Sequence, residues 1–199
     1  MTYAGIGSRG TPQDVLSKMR QVSKRLDSLG YKLHTGFTFF DNNTKSDEDG
    51  ADKAFSDGTN NKVLFGPDRI RIYNNTKSFL VKKYEESVSE MTDSVVNEIH
   101  PKPKALTSGA RKLMARNANQ LFGEKLDSTV DFVLFYDKSG WEGVGKRPER
   151  GGTLQAVDMA HRKGIPVINM ANNGWEMKLK KIIENSDNTK SSLTPSQEE

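Results

Sequence analysis

Tyr3-Ala4-Gly5-Ile6-Gly7-Ser8-Arg9-Gly10-Thr11-Pro12 runs without a break into Gln13-Asp14-Val15-Leu16. An apolar run enters a glycine-rich turn, and the turn enters a segment in which Val15, Met19, Val22 and Leu26 recur at helical spacing. Gly30 is a good terminator, so the spacing predicts a helix from Pro12 to Ser28. Strand, tight turn and helix in that order is the opening unit of a Rossmann-like sheet, and phosphate or ribose binds at such a turn. Gly5 and Gly7 remove side chains so that backbone can approach a ligand. Ser8 and Thr11 offer hydroxyls, and Arg9 offers a planar cationic fork suited to phosphate. The spacing Gly5-x-Gly7-x-x-Gly10 meets the dinucleotide fingerprint only nominally, because no acidic residue stands out near the end of the second strand. A tight strand-to-helix turn with no ligand reads the same way.

Outward from this unit, strand-like and helix-like segments alternate. Tyr31 to Thr35 is a short strand closing on Gly36, and a polar, acid-rich loop covers Asn42 to Asp49. Gly50 to Phe55 opens a short helix, and Lys62 to Phe65 is a third strand. A charged helix is expected over Ser78 to Asn97, with Phe79, Leu80, Tyr84, Val88 and Met91 as its buried stripe. A second follows from Ser108 to Leu121. Val130 to Tyr136 is the clearest strand, Gly151-Gly152-Thr153 opens another helix, and Ile165 to Met170 is the last core strand. Trp175 to Ile183 closes the chain. The expectation is an α/β fold: a single Rossmann-like domain over residues 1–185, with a mostly parallel sheet flanked by helices on both faces. The Ser/Asn/Thr/Lys/Glu-rich tail, 186–199, is expected to be disordered.

Composition narrows the classes. The chain has 199 residues, enough for one core and short for two. Thirty Lys and Arg against 26 Asp and Glu give a net charge of +4, which permits a nucleic-acid partner without implying one. Cysteine is absent, which excludes disulfides and thiolate metal sites. His34, His100 and His161 lack ligand spacing, so no metal and no cofactor is expected. Ser8 has no His/Asp pair to make a hydrolase triad. With no long apolar run and no leader pattern, the expectation is a soluble intracellular protein without a membrane partner.

In a parallel sheet the ligand sits beyond the carboxyl ends of the strands. Three segments fall there: Gly7, Ser8, Arg9 and Thr11 after the first strand, Thr35 and Gly36 after the second, and Tyr136 to Gly152 after the fourth. Gly151-Gly152-Thr153 repeats the logic of the first turn, and two such turns facing one crevice would hold a phosphate and the rest of a nucleotide. Asp52 reads either as a helix-start carboxylate or as a ribose acceptor or general base. Arg111, Lys112 and Arg116 read as solvated charges on a helix, with Met114 and Leu121 as core candidates.

Taken together, Gly5-Ile6-Gly7-Ser8-Arg9, Gly50-Ala51-Asp52-Lys53-Ala54-Phe55, Arg111-Lys112-Leu113-Met114-Ala115-Arg116-Asn117, Val130-Asp131-Phe132-Val133, Gly151-Gly152-Thr153-Leu154-Gln155-Ala156 and Gly164-Ile165-Pro166-Val167 have a familiar order. Over residues 3 to 170 the chain resembles the phage-encoded DprA-like proteins (DNA recombination-mediator protein A) of the SLOG superfamily, which joins Smf/DprA and Lonely-guy proteins. The resemblance implies a nucleotide or nucleic-acid pocket at the Gly-Ser-Arg and Gly-Gly-Thr turns, in the cytoplasm, that of the host for a phage-encoded chain. A small nucleotide ligand is the first expectation. A single-stranded DNA-binding recombination mediator is an alternative, with Arg9, Lys102, Lys104, Arg111, Lys112, Arg116, Lys138, Lys146 and Arg147 lining a groove and Trp141 available for stacking on bases. A nucleotide N-glycosidase of the Lonely-guy type is another, with Arg9 or Arg116 on the phosphate and Asp52 or Asp158 at the oxocarbenium-like centre. A homo-oligomer is left open.

The chain departs from the family pattern in three places. Thirteen residues, including Phe37, Phe39 and Phe40, separate Gly36 from Gly50 where the family has a continuous motif. Leu154 stands where relatives commonly carry Gly. The catalytic Glu of the Lonely-guy motif is missing, with Asp158 the nearest carboxylate.

Overall fold

Alternating side chains on short apolar strands bury both faces of a sheet, and the helices between them cover those faces. The structure, a computed structural model, describes residues 1–37, 50–67, 69–75, 79–100, 102–148 and 151–191. Its strands are β1 (Thr2–Ile6), β2 (Lys32–Gly36), β3 (Asn61–Phe65), β4 (Arg69–Asn74), β5 (Phe79–Lys83), β6 (Phe132–Phe135) and β7 (Val167–Asn169). Its helices are α1 (Gln13–Ser28), α2 (Ala51–Asp57), α3 (Glu86–Ile99), α4 (Ser108–Phe122), α5 (Gly152–Arg162) and α6 (Trp175–Ser191). The strands form one seven-stranded sheet in the order β5-β4-β3-β2-β1-β6-β7. From β3 to β7 all neighbours run parallel, whereas β4 and β5 extend the β3 edge as an antiparallel meander. This is the expected Rossmann-like α/β domain.

The two faces separate by strand register. Tyr3, Leu33, Phe132, Leu134 and Ile168 pack against Leu16, Met19 and Leu26 of α1, Ala54 and Phe55 of α2, and Leu179 of α6. Ala4, Ile6, Val133, Phe135 and Val167 point the other way, onto Ala118 and Leu121 of α4 and Leu154, Val157 and Ala160 of α5. Gly30, at φ +80°, ends α1 with its N–H donating to Asp27 O at 2.9 Å. Among the described residues no helix is long and apolar enough to cross a membrane.

Three expectations are corrected. The charged helix expected from Ser78 begins only at Glu86, because Phe79–Lys83 pairs with β4 as the edge strand β5. Leu80 and Met91, expected in its buried stripe, are exposed, while Val88 is buried. Arg69–Asn74, for which no strand was expected, forms β4 and buries Ile70 with Val63 and Phe65. The closing helix continues past Ile183 to Ser191, into the stretch expected to be disordered, and Ser186 Oγ donates back to Ile182 O at 2.8 Å. Residues 192–199, Phe39, Phe40 and the polar loop Asn42 to Asp49 lie outside the described residues.

Candidate functional site

The chain passes from β1 outward to β2 and β3, then returns to β6 on the other side of β1. That reversal leaves a crevice beyond the carboxyl ends of the strands. A cleft of about 550 Å³ occupies it, lined by Gly7, Ser8 and Arg9 after β1, Gly36 and Phe37 after β2, Asp52 on α2, Arg116 on α4, and Gly152 and Thr153 on α5. The two glycine-bearing turns therefore share one cleft. The N–H groups that open α5 have no intrahelical acceptor, and Gly151 at the N-cap has no side chain to cap them. Gly151 precedes them at φ +124°, a conformation that glycine adopts without strain.

Not every expected residue reaches the cleft. Thr11 and Thr35 are buried and spend their hydroxyls on the chain: Thr11 Oγ1 donates to Ser8 O at 2.8 Å and Thr35 Oγ1 to Gly5 O at 2.6 Å. They brace the turn from behind. Gly151 shapes the entry to α5 without lining the cleft. Asp158 also lies outside it, pairing with Arg147 at 3.3 Å and Arg162 at 3.1 Å. Gly5 and Gly7 serve α2. A Cβ on Gly5 would lie 2.6 Å from the Phe55 ring, and one on Gly7 would lie 2.4 Å from Ala51 Cβ. Their missing side chains let α2 close on β1, and Gly7 lines the cleft as well.

Arg116 and Asp52 form the centre of the site. Arg116 Nη2 donates to Asp52 Oδ2 at 3.2 Å, and their side chains are only 13% and 21% exposed. Arg116 Nη1 also donates to the carbonyls of Phe37 and Phe65, each at 3.3 Å. The guanidinium thus caps the carboxyl ends of β2 and β3, and its contacts are those of a clamp, not of a solvated surface charge.

Several lining residues were not expected. Arg71 reaches the cleft from β4 with its guanidinium carbon 4.8 Å from the Phe37 ring centroid. Leu113, Met114, Asn117 and Gln120 line it from one face of α4. Their spacing on the helix was visible, but the side of α4 facing the cleft was not. The described lining carries Arg9, Lys53, Arg71 and Arg116 against Asp52 and Asp57, an excess of positive charge that suits an anion.

Beneath the cleft, His34 donates from Nδ1 to Gln120 O at 3.2 Å and meets the Phe65 ring edge-on. A carbonyl only accepts, so Nδ1 carries the proton. Burial pushes the His34 pKa down to about 4, with the Gln120 carbonyl opposing and Lys32 adding to the fall. Elsewhere Arg111 pairs with Asp93 and donates to Asn97 Oδ1 at 2.8 Å, tying α4 to α3. Trp141, expected to stack on DNA bases, is 9% exposed and packed in the core beneath α5. Its loop is fastened to β7 by Asn169, whose Nδ2 donates to Asp137 O at 2.9 Å. Among the described residues no three His, Cys, Asp or Glu side chains cluster to hold a metal.

The fold and the cleft define a Rossmann-like α/β protein with its crevice at the sheet's switch point. No protein-family model matches the chain, and neither curated proteins nor solved structures give a match.

Proposed function

We propose that this chain binds a phosphorylated nucleoside or another nucleotide-derived small molecule, sequestering or sensing it, as a DprA-like member of the SLOG superfamily. The observation that supports this reading is the meeting of Ser8-Arg9 and Gly152-Thr153 on one cleft beyond the strand ends. The N–H groups at the start of α5 and the Arg9 fork suit a phosphate, and the apolar side chains of Leu113 and Met114 suit a base. Arg9 follows Ser8 on the first turn and lines the cleft, so its fork is the one assigned to the phosphate.

Thermal-shift measurements with nucleoside monophosphates, ADP-ribose-type compounds and cyclic dinucleotides test the reading. At least one class should raise Tm, by an amount equivalent to about 2.7 kcal/mol at a hundredfold excess over Kd. No stabilisation by any of them defeats the proposal. Cleavage of a nucleotide N-glycosidic bond is a second reading, favoured by the presence of the Asp52 carboxylate in the cleft. Chromatography showing no free base from common nucleotides rejects it.

A further inference from the structure

Three N–H groups are buried between α4, α5 and the sheet without an acceptor among the described residues: Gln120 Nε2, Arg116 Nε and Gln155 Nε2. Gln120 lies one turn beyond Arg116, on the α4 face that Leu113 and Asn117 also present to the cleft, and is 1% exposed. Its main-chain oxygen is held by His34, which fixes its depth. The Gln155 amide is oriented by Asn117, whose Nδ2 donates to Gln155 Oε1 at 3.4 Å, leaving Nε2 as the unmet end.

A buried donor without an acceptor is costly, and folded interiors leave few of them. An apolar side chain at Gln120 would avoid the cost. The three unmet groups are all donors, so the complement they call for is an acceptor. The Arg116 charge is already matched by Asp52, and the adjoining walls at Leu113, Met114 and Ala156 are apolar. A neutral carbonyl on a flat apolar ring meets these conditions better than a second phosphate does.

Resting on the nucleotide reading above, we propose that the floor of the cleft takes the carbonyl edge of an oxo-bearing base, selecting 6-oxopurine over 6-aminopurine nucleotides. Gln120 Nε2 donates to the ring carbonyl while the turns at Ser8-Arg9 and Gly152-Thr153 hold the phosphate. An exocyclic amino group in the same place offers no acceptor to these donors, and Gln120 could meet it only by turning its amide over, which still leaves Arg116 Nε unmet. Gln120 is therefore a specificity-determining residue.

Inosine and adenosine monophosphates differ at this ring position, so titration calorimetry of the full chain with each reads the selection directly. Inosine monophosphate should bind about tenfold more tightly, the effect of one hydrogen bond. Gln120→Leu should bring the two affinities to within about twofold of each other, with an unliganded Tm at or above that of the parent chain showing that the variant folds. Gln120→Glu, which exchanges the donor for an acceptor, should reverse the preference. Equal binding of the two nucleotides, lost for both in Arg9→Ala, overturns the selection and leaves the nucleotide reading standing. An unchanged preference in Gln120→Leu overturns the assignment of Gln120. Binding of neither nucleotide overturns this inference, and the nucleotide reading falls with it only if the wider thermal-shift screen is also silent.

Discussion

Arg116 and Asp52, 64 positions apart in the chain, meet at 3.2 Å directly over Gly36 at the end of β2. A Cβ on Gly36 would stand 1.8 Å from Arg116 Nη1 and 2.4 Å from Asp52 Oδ2. Glycine is required here for space, because the guanidinium is held from three sides and cannot simply swing away. Gly36→Ala should therefore destabilise the fold by about 1–3 kcal/mol, the usual cost of overpacking. Urea unfolding reads this directly, and an unchanged midpoint would show that the pair moves aside freely.

Asp52→Ala tests the same clamp from its acidic side. It leaves a largely buried guanidinium with carbonyl partners but no counter-charge, at an expected cost of about 2–3 kcal/mol. Asp52→Asn, which keeps an acceptor oxygen for Arg116, should cost less. If both variants are as stable as the parent chain, Asp52 is not structural and its role belongs to chemistry in the cleft.

His34 gives the fold a pH dependence of known sign. Its folded pKa of about 4 lies below its ordinary value of 6.5. Between those values the unfolded chain binds the proton more readily, so stability rises with pH across that window. The His34 contribution is fully present above pH 6.5 and is lost as pH falls towards 4, at most about 3 kcal/mol. His34→Gln should flatten the slope of unfolding free energy between pH 6.5 and 4.5 relative to the parent chain. Identical slopes in the two proteins would refute the assignment.

The parts of this molecule that could be read from sequence are those where local chemistry and tertiary role coincide. The unit from Tyr3 to Ser28 carries its strand, turn and helix in its own periodicity, and the Gly151-Gly152-Thr153 opening of α5 carries its turn in its glycines. The β4–β5 extension was not read. β5 is an edge strand whose Leu80 and Val81 are exposed, so burial leaves no alternation in the sequence, and its lysines merge into the charged helix that follows. Ile70 and Ile72 in β4 do alternate with Arg69 and Arg71, a signal that was available.

Within the site, Ser8, Arg9, Asp52, Arg116, Gly152 and Thr153 stand out by residue type and local motif, and all line the cleft. Thr11 and Thr35 look equivalent in sequence, yet a hydroxyl near a turn does not reveal whether it faces the ligand or the backbone behind it. Gln120 and Arg71 gain their positions only when α4 and β4 dock, so no local pattern announces them.

Calorimetric titration of the strongest nucleotide ligand into the parent chain, Arg9→Ala and Thr153→Val tests the central claim most directly, because those two residues stand on opposite turns. The shared-cleft account expects Arg9→Ala to weaken binding by about tenfold to a hundredfold, as for a charge-assisted hydrogen bond, and Thr153→Val by about threefold to tenfold. Undiminished affinity in either variant would contradict the claim that both turns grip one ligand.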